Sequence, residues 1–461
     1  CCTSTTRDFK TLTGRVEHEG FSYLTITLPQ FGKDLERALA QEVVTKDLFV
    51  GYSKRGCLPR FLSGFTSLVF DRASGRLLEE PSVAAIQAVR QVTNLFGKMD
   101  LPCSDARVGA AIAKYLECEK DIKAVDQTLQ DPLIRDLKRI FELLFGRTVL
   151  APLDREVFEG DTILPKHGPG ATADRLRGNA KWNQREWTAR LDEVFHHSEH
   201  LYPSFSHFLE GEGGPVDVLE PGAERPVRVI TVPKTLKTPR IIAIEPTCMQ
   251  YMQQALWLRL RELLETSDTV SSFIGFERQE PNQLMAQEGS LTGALATLDL
   301  SEASDRVSNQ LVRALFAHYT WLAKGLDATR SRKADVPGHG VIRLAKYASM
   351  GSALCFPIEA MVFTAIVFLG IERAHKRPLS SRALRGFRGR VRVYGDDIIV
   401  PVDCAESVVT TLEAFGLRVN LSKSFWTGKF RESCGKEYYA GKDVSVVRVR
   451  RTLPTQRRHV P

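Results

Sequence analysis

The residues whose types and spacing point most directly to chemistry are Tyr394-Gly395-Asp396-Asp397, two adjacent carboxylates behind a glycine. Neighbouring residues of a strand face opposite ways, but a tight turn beginning at Gly395 relaxes that alternation and can aim Asp396 outward from a hairpin. An Asp-rich turn with no further role reads the same way. Asp299 is the second feature. It lies near the end of ALATLDL, residues 294–300, and a carboxylate at the end of a buried strand is costly unless paired, protonated or metal-bound. Together, Asp299 and Asp396 would offer carboxylates from two strands to a pair of Mg2+ ions. Two such ions about 3.5–4 Å apart activate an attacking oxygen and stabilise the leaving one in an in-line displacement. Phosphoryl transfer needs little beyond that except positioning and positive charge. The charge has a candidate source in TVPKTLKTPR, residues 231–240, where Lys234, Lys237 and Arg240 recur at threes and Pro233 and Pro239 stiffen the segment. A solvated basic loop has the same composition.

The elements that must position these groups are legible in outline. Residues 390–394 and 398–402 are two β-rich runs around Gly395-Asp396-Asp397, a hairpin signature. Residues 294–300 read as a buried strand feeding a polar turn and one amphipathic helix over 309–324. A further helix follows Met350-Gly351-Ser352. Residues 227–244 alternate β-branched runs with Lys and Arg and lead into a helix over 246–264. The segment 211–226, GEGGPVDVLEPGAERP, reads as an exposed loop between lobes. Upstream of about residue 225 there is helical periodicity, as in 137–145, with few motifs.

The whole chain sets bounds. Its 461 residues favour more than one lobe, and 43% hydrophobic against 26% charged residues is the composition of a folded globular protein. The net charge is +8, and residues 376–392 hold Lys376, Arg377, Arg382, Arg385, Arg388, Arg390 and Arg392 without an acid, which suits a polyanion or a solvated face. Nine scattered cysteines with no CxxC pair fit a reducing cytosol and no zinc site. The apolar run 353–370 carries Pro357 and Glu359 and is expected as a buried helix, with no membrane association. A P-loop is excluded, because GxxxxGK[ST] occurs nowhere. The chain opens with Cys1 in place of Met, so a processed or incomplete product is expected.

Taken in order, five segments resemble the RNA-directed RNA polymerases of levivirus-type RNA bacteriophages. They are the basic segment 231–246, residues 299–308, residues 350–363, Tyr394-Gly395-Asp396-Asp397, and Phe430-Arg431-Glu432-Ser433-Cys434-Gly435-Lys436, with a fainter echo at Lys166-His167-Gly168-Pro169-Gly170. The resemblance implies an α+β right hand: fingers and N-terminal region over 1–290, a palm of antiparallel sheet and helices over 291–427, and a thumb begun at 428–461 and truncated. It implies Asp299, Asp396 and Asp397 as ligands of two Mg2+ ions, with Mn2+ as a substitute. Asp305 and Ser352 would lie near the ribose of the incoming ribonucleoside triphosphate, and Gly351 would let the backbone approach that nucleotide. Lys423 stands where a general acid for pyrophosphate is expected, unless it is a surface lysine. The implied partners are RNA template and product, host elongation factors Tu and Ts, and a ribosomal protein, in the cytoplasm of a bacterial host.

Rival readings stay open at this level. A reverse transcriptase shares the palm and paired aspartates, but Gly395 and a polar Asp305 favour ribonucleotides. A non-catalytic RNA-binding subunit has no use for carboxylates beside phosphate unless metals intervene. A two-metal nuclease shortens its substrate. His196, His197, Glu199 and His200 do not form HExxH and read as a wet helix face, and Trp182 and Trp187 read as packing residues.

Overall fold

A computed structural model describes residues 4–160, 162–202, 206, 209–210, 214–451 and 456–457; Cys1, Cys2, the first three residues of the 211–226 segment and Arg458 lie outside them. The fold is α+β, and the carboxylate-bearing segments sit in one four-stranded antiparallel sheet. Its strand order is Arg392–Tyr394, Asp397–Pro401, Leu295–Ser301, Arg418–Val419. Period-two alternation decides what each face meets. Ala296, Leu298, Leu300, Ile398 and Val400 turn into the large core that includes the helix Cys355–His375. Leu295 and Ile399 turn the other way, onto Met285 and Ala286 of the helix Glu280–Thr292 and onto Tyr438. The central strand is therefore buried on both faces as far as Leu298.

Cys355–His375 is apolar all round because it is enclosed all round. It is the one described helix long and apolar enough to cross a membrane, and 89% of its apolar window is buried inside the protein.

A second four-stranded sheet lies upstream, in the order Arg240–Ile244, Val227–Val232, Lys333–Val336, Gly340–Arg343. The first two strands and the helix Thr247–Thr266 follow the sequence expectation. The last two form a hairpin around Gly338 (φ +76°) and Gly340 (φ +68°), contributed from between residues 299–308 and 350–363.

Two expectations need correction. Residues 309–324 are not one helix but two, Asn309–Phe316 and Thr320–Ala328. Distant contacts impose the break: Asp154 accepts a hydrogen bond from the Leu322 amide at 2.8 Å, and Tyr319 donates its hydroxyl to Glu142 at 2.7 Å. The 211–226 segment contains a strand, Asp217–Leu219, paired in parallel with Glu186–Thr188, and its Glu224 is buried in an ion pair with Arg190 at 2.6 Å.

The N-terminal region has its own core, built on the helices Leu28–Gln41 and Val83–Asn94. Phe425, Phe430, Tyr439 and Val444 join that core from the far end of the chain. Arg90, fully buried, clamps the two together through Glu36 (2.9 Å) and Glu437 (2.6 Å).

Candidate active site

Tyr394 is the register partner of Asp397, so Gly395-Asp396 is a two-residue turn. Of the two only Gly395 has a positive φ, +58°, the pattern of a type II′ hairpin turn. A Cβ at Gly395 would also lie 2.5 Å from Cε2 of Phe356. Asp396 thus occupies the tip, while Asp397 opens the next strand directly opposite Asp299. Opposed residues of an antiparallel pair share a face, so register sets Asp299 and Asp397 side by side.

Asp299 is held from one side by the segment after the Arg418–Val419 strand. Asn420 donates its side-chain amide to Asp299 Oδ2 at 2.8 Å, and Lys423 Nζ lies 3.1 Å from Oδ1. Lys423 is therefore at the carboxylates and is not an idle surface lysine. Ser433, from the 430–436 segment, donates to Asp397 Oδ1 at 3.3 Å.

The electrostatics are those of like charges crowded together. Burial, and next the proximity of Asp299, push Asp396 above the usual carboxylate range. Burial and then Asp396 push Asp397 up to about 6. Burial would lower Lys423, but Glu432 and Asp299 hold it above its ordinary value.

The basic segment 233–239 is exposed at Lys234 and Lys237 and pinned from behind, where Cys103 Sγ donates to the Thr235 carbonyl (3.1 Å) and Arg107 to the Leu236 carbonyl (2.9 Å). Lys234 is lowered by desolvation and then by Arg240 and Lys423, with Asp396 and Asp299 acting against them. Arg240 begins the strand opposite Val232.

Two lysines of the N-terminal region join this basic field. Lys33 is lowered by burial and next by Lys237, and Lys98 by burial and next by Arg448. No local motif marks either one in the sequence.

Gly351 has φ +132°, and a Cβ there would lie 2.0 Å from the Ala243 carbonyl oxygen. The close backbone approach in the structure is thus to the Arg240–Ile244 strand, whose Ala243 amide donates to the Met350 carbonyl at 2.8 Å. Ser352 Oγ donates to Gln253 Oε1 at 3.0 Å. Asp305 is ion-paired to Lys346 at 2.9 Å. Glu359 is buried with Oε2 lacking a partner, and burial, then Asp396 and Asp305, push it well above the carboxylate range. In the sequence it reads only as an acid interrupting an apolar run.

Three carboxylates with no sulfur or imidazole form a hard-oxygen donor set of the kind Mg2+ prefers. Burial and mutual repulsion raise the proton affinities of Asp396 and Asp397, and Lys423 supplies the only cation within bonding distance of Asp299 among the described residues. The residues thus fit divalent cations. The three carboxylates do not all approach within 4.8 Å of one another; the described trio that does is Asp192, His196 and His197. Asp192 joins the two histidines from outside their helix, and His196 and Glu199 remain exposed. Asp192 Oδ1 accepts from the His197 amide at 2.9 Å and pairs with its ring at 2.7 Å, a capping arrangement at the start of a short turn. Of the two tryptophans, Trp187 is fully buried and donates to the Phe195 carbonyl, whereas Trp182 is 59% exposed and meets His167 edge-on, so Trp182 is not a core residue.

Strand order, hairpin and carboxylates together define the palm of a right-hand polymerase fold. A family model described as RNA replicase, beta-chain, matches residues 223–458, and the chain belongs to that family. It is 37% identical over 226 residues to the RNA-directed RNA polymerase subunit beta of Qbeta virus (strain MX1), a match covering 49% of this chain and 36% of that one. It is 38% identical over 216 residues to the RNA-directed RNA polymerase beta chain of Escherichia phage MS2, covering 47% and 36%. With the subunit beta of Enterobacteria phage SP it shares 32% identity over 310 residues, 67% of this chain and 50% of the relative. The chain spans between about a third and a half of the length of these relatives. Among solved structures, an RNA-dependent RNA polymerase of a human picobirnavirus aligns with 47% of this chain and 43% of its own at 13% identity and a TM-score of 0.36.

Proposed function

We propose that this chain carries the catalytic palm of an RNA-directed RNA polymerase that copies single-stranded phage RNA from ribonucleoside triphosphates. The observation that carries the reading is the register of Asp299 against Asp397 beside the Asp396 tip, with Lys423 already on Asp299. Mg2+ ions on the three aspartates would supply Lewis acidity and charge neutralisation to phosphoryl transfer, and Mn2+ has the coordination chemistry to replace them. Around them the chain's own groups have distinct tasks. Lys234, Lys237 and Arg240 hold the triphosphate, and Lys423 delivers a proton or charge to the departing pyrophosphate. Asp305 and Ser352 read the sugar, and Gly351 fixes the loop that carries Ser352. Residues 1–290 act as fingers and N-terminal support, 291–427 as palm, and 428–461 lead toward a thumb.

A non-catalytic RNA-binding subunit would gain nothing from three acids beside phosphate. A reverse transcriptase or a nuclease would differ in product. RNA template and product are the ligands this reading calls for, and the levivirus resemblance implies host elongation factors Tu and Ts and a ribosomal protein as partners in the bacterial cytoplasm.

The test is to incubate the chain with an RNA template, labelled ribonucleotides and Mg2+. Complementary product that lengthens with time is expected, and Asp299→Ala and Asp396→Ala should each abolish it while RNA binding survives. Wild-type rates in either variant would sink the site assignment; preferred use of deoxyribonucleotides by the unmodified chain would overturn the RNA polymerase reading.

A further inference from the structure

Lys346 is an unusual lysine: its side chain has no solvent exposure, and its ammonium is ion-paired to two carboxylates. Nζ lies 2.9 Å from Asp305 Oδ1, 3.2 Å from Glu119 Oε1, and 3.5 Å from the centroid of the Tyr115 ring. Glu119 and Tyr115 both come from the helix Asp105–Thr128 in the N-terminal region. That helix is anchored to the same segment by two further bonds: Glu119 Oε2 accepts from the Ala345 amide, and the Tyr115 hydroxyl pairs with Ser349 Oγ at 3.0 Å. Burial would push Lys346 down, yet Asp305, Tyr115 and Glu119 hold it above its ordinary value, so the ammonium is charged throughout the working pH range.

A sealed cation with two acids is costly to bury, and removing either partner leaves a charge uncompensated. Such an arrangement persists where it defines geometry. The geometry here is asymmetric: Asp305 keeps 21% of its side chain exposed while Lys346 keeps none. Lys346 takes Oδ1, and Oδ2 receives no hydrogen bond among the described residues. Asp305 sits in the turn Ala303–Arg306, directly after the Leu295–Ser301 strand that carries Asp299. A fixed carboxylate with one open oxygen beside the reacting centre is an acceptor for a substrate hydroxyl.

We infer that Lys346, braced by Glu119 and Tyr115, is a positioning residue for sugar discrimination, holding Asp305 so that Oδ2 accepts the 2′-hydroxyl of the incoming ribonucleotide. The inference rests on the polymerase reading above and extends it, because it makes a helix of the N-terminal region part of the ribose site. A site built around a hydrogen bond to a substrate hydroxyl rejects the analogue lacking it, provided that the acceptor cannot swing away. Lys346 removes that freedom.

The experiment compares single-nucleotide incorporation of ATP and 2′-deoxyATP on a primed RNA template, with kcat and KM determined for each. Lys346→Gln should lower the ratio of kcat/KM for ATP over deoxyATP by at least about tenfold, the worth of one charged hydrogen bond. The loss should fall on ATP alone. Lys346→Arg should recover part of the ratio, and Lys346→Gln should add nothing to the loss already caused by Asp305→Ala, since both act on one contact. Should Lys346→Gln fail to fold, Glu119→Gln keeps the Lys346–Asp305 pair and should still reduce the ratio by about threefold. An unchanged ratio in folded variants, or equal losses with both sugars, overturns the inference and leaves the polymerase reading standing. A wild-type chain that incorporates neither nucleotide overturns that reading, and this one with it.

Discussion

The three aspartates show why one residue type can serve different ends within a few ångströms. Asp299 is tied down by Asn420 and Lys423, Asp397 by Ser433, and Asp396 stands at the turn tip with a raised proton affinity. Lys423 offsets negative charge in the same place where divalent cations are proposed to act, so the site is balanced between two kinds of counter-charge. Arg240 is the residue-scale test of the basic segment. Lys234 is influenced by Arg240 and Lys423 on one side and by Asp396 and Asp299 on the other, and the segment is proposed to hold the substrate's phosphates. Neutralising Arg240 to Gln should raise the apparent KM for ribonucleotides more than it weakens template binding. Steady-state kinetics beside an RNA-binding titration would show it, and the opposite ranking would assign the segment to the template strand.

At the scale of elements, the hairpin depends on a glycine that is constrained twice, by a φ of +58° and by the Phe356 ring. Gly395→Ala should cost about 1–3 kcal/mol in stability and displace Asp396, with activity falling further than stability alone explains. Urea unfolding and extension assays on the same preparation test both halves. The junction between the Arg240–Ile244 strand and the Thr247–Thr266 helix hides a second sensitive group. Glu245 is buried, accepts from Ser331 Oγ at 2.5 Å, and is pushed up to about 7 by burial, with Ser331, Gln253 and Arg330 opposing. Because its folded value lies above the ordinary 4.5, the neutral form's contribution to stability is complete below about pH 4.5 and is lost as pH rises through 7. Glu245→Gln should match the wild type at pH 4.5 and exceed its stability by about 1–3 kcal/mol at pH 8. Denaturation midpoints at the two pH values give the answer, and equal differences at both would refute it.

At the scale of the molecule, the two ends of the chain meet. Arg90 joins Glu36 of the N-terminal region to Glu437, and its guanidinium also lies 5.0 Å from the Phe430 ring centroid. Removing the cation leaves two buried acids facing each other, so Arg90→Met should destabilise the protein by about 3–5 kcal/mol. Glu36→Gln combined with Arg90→Met should recover part of that loss, measured by chemical unfolding. The N-terminal region, which shows little in sequence, thereby supports the segment that carries Ser433 and sends Lys33 and Lys98 into the basic field. Of the basic run 376–392, six residues remain exposed, as a polyanion-facing or solvated surface requires. Arg392 alone turns inward, donating to Asn282 Oδ1 at 3.1 Å and the Ser272 carbonyl at 3.0 Å.

The sequence by itself determined the parts whose physics is local. Gly395 declares its turn because few other residues adopt that φ, the runs around 294–300 and 398–402 declare strands by their β-branched and apolar content, and the helix after Ser352 declares itself by a long apolar run. Asp299 stands out because a carboxylate at the end of an apolar strand demands an explanation from its neighbours alone, and Asp396 because it adjoins a second acid behind a turn glycine. Tertiary structure decided what depends on partners far along the chain. Asp154 and Glu142 split the 309–324 helix, Glu186–Thr188 draws a strand out of a loop, and Lys346 pairs with Asp305 and also with Glu119, an acid more than two hundred residues away in sequence. Lysine has no positional signature. Whether it is a solvated charge, as Lys423 could have been, or a sealed one, as Lys346 is, follows only from which carboxylates the fold carries to it.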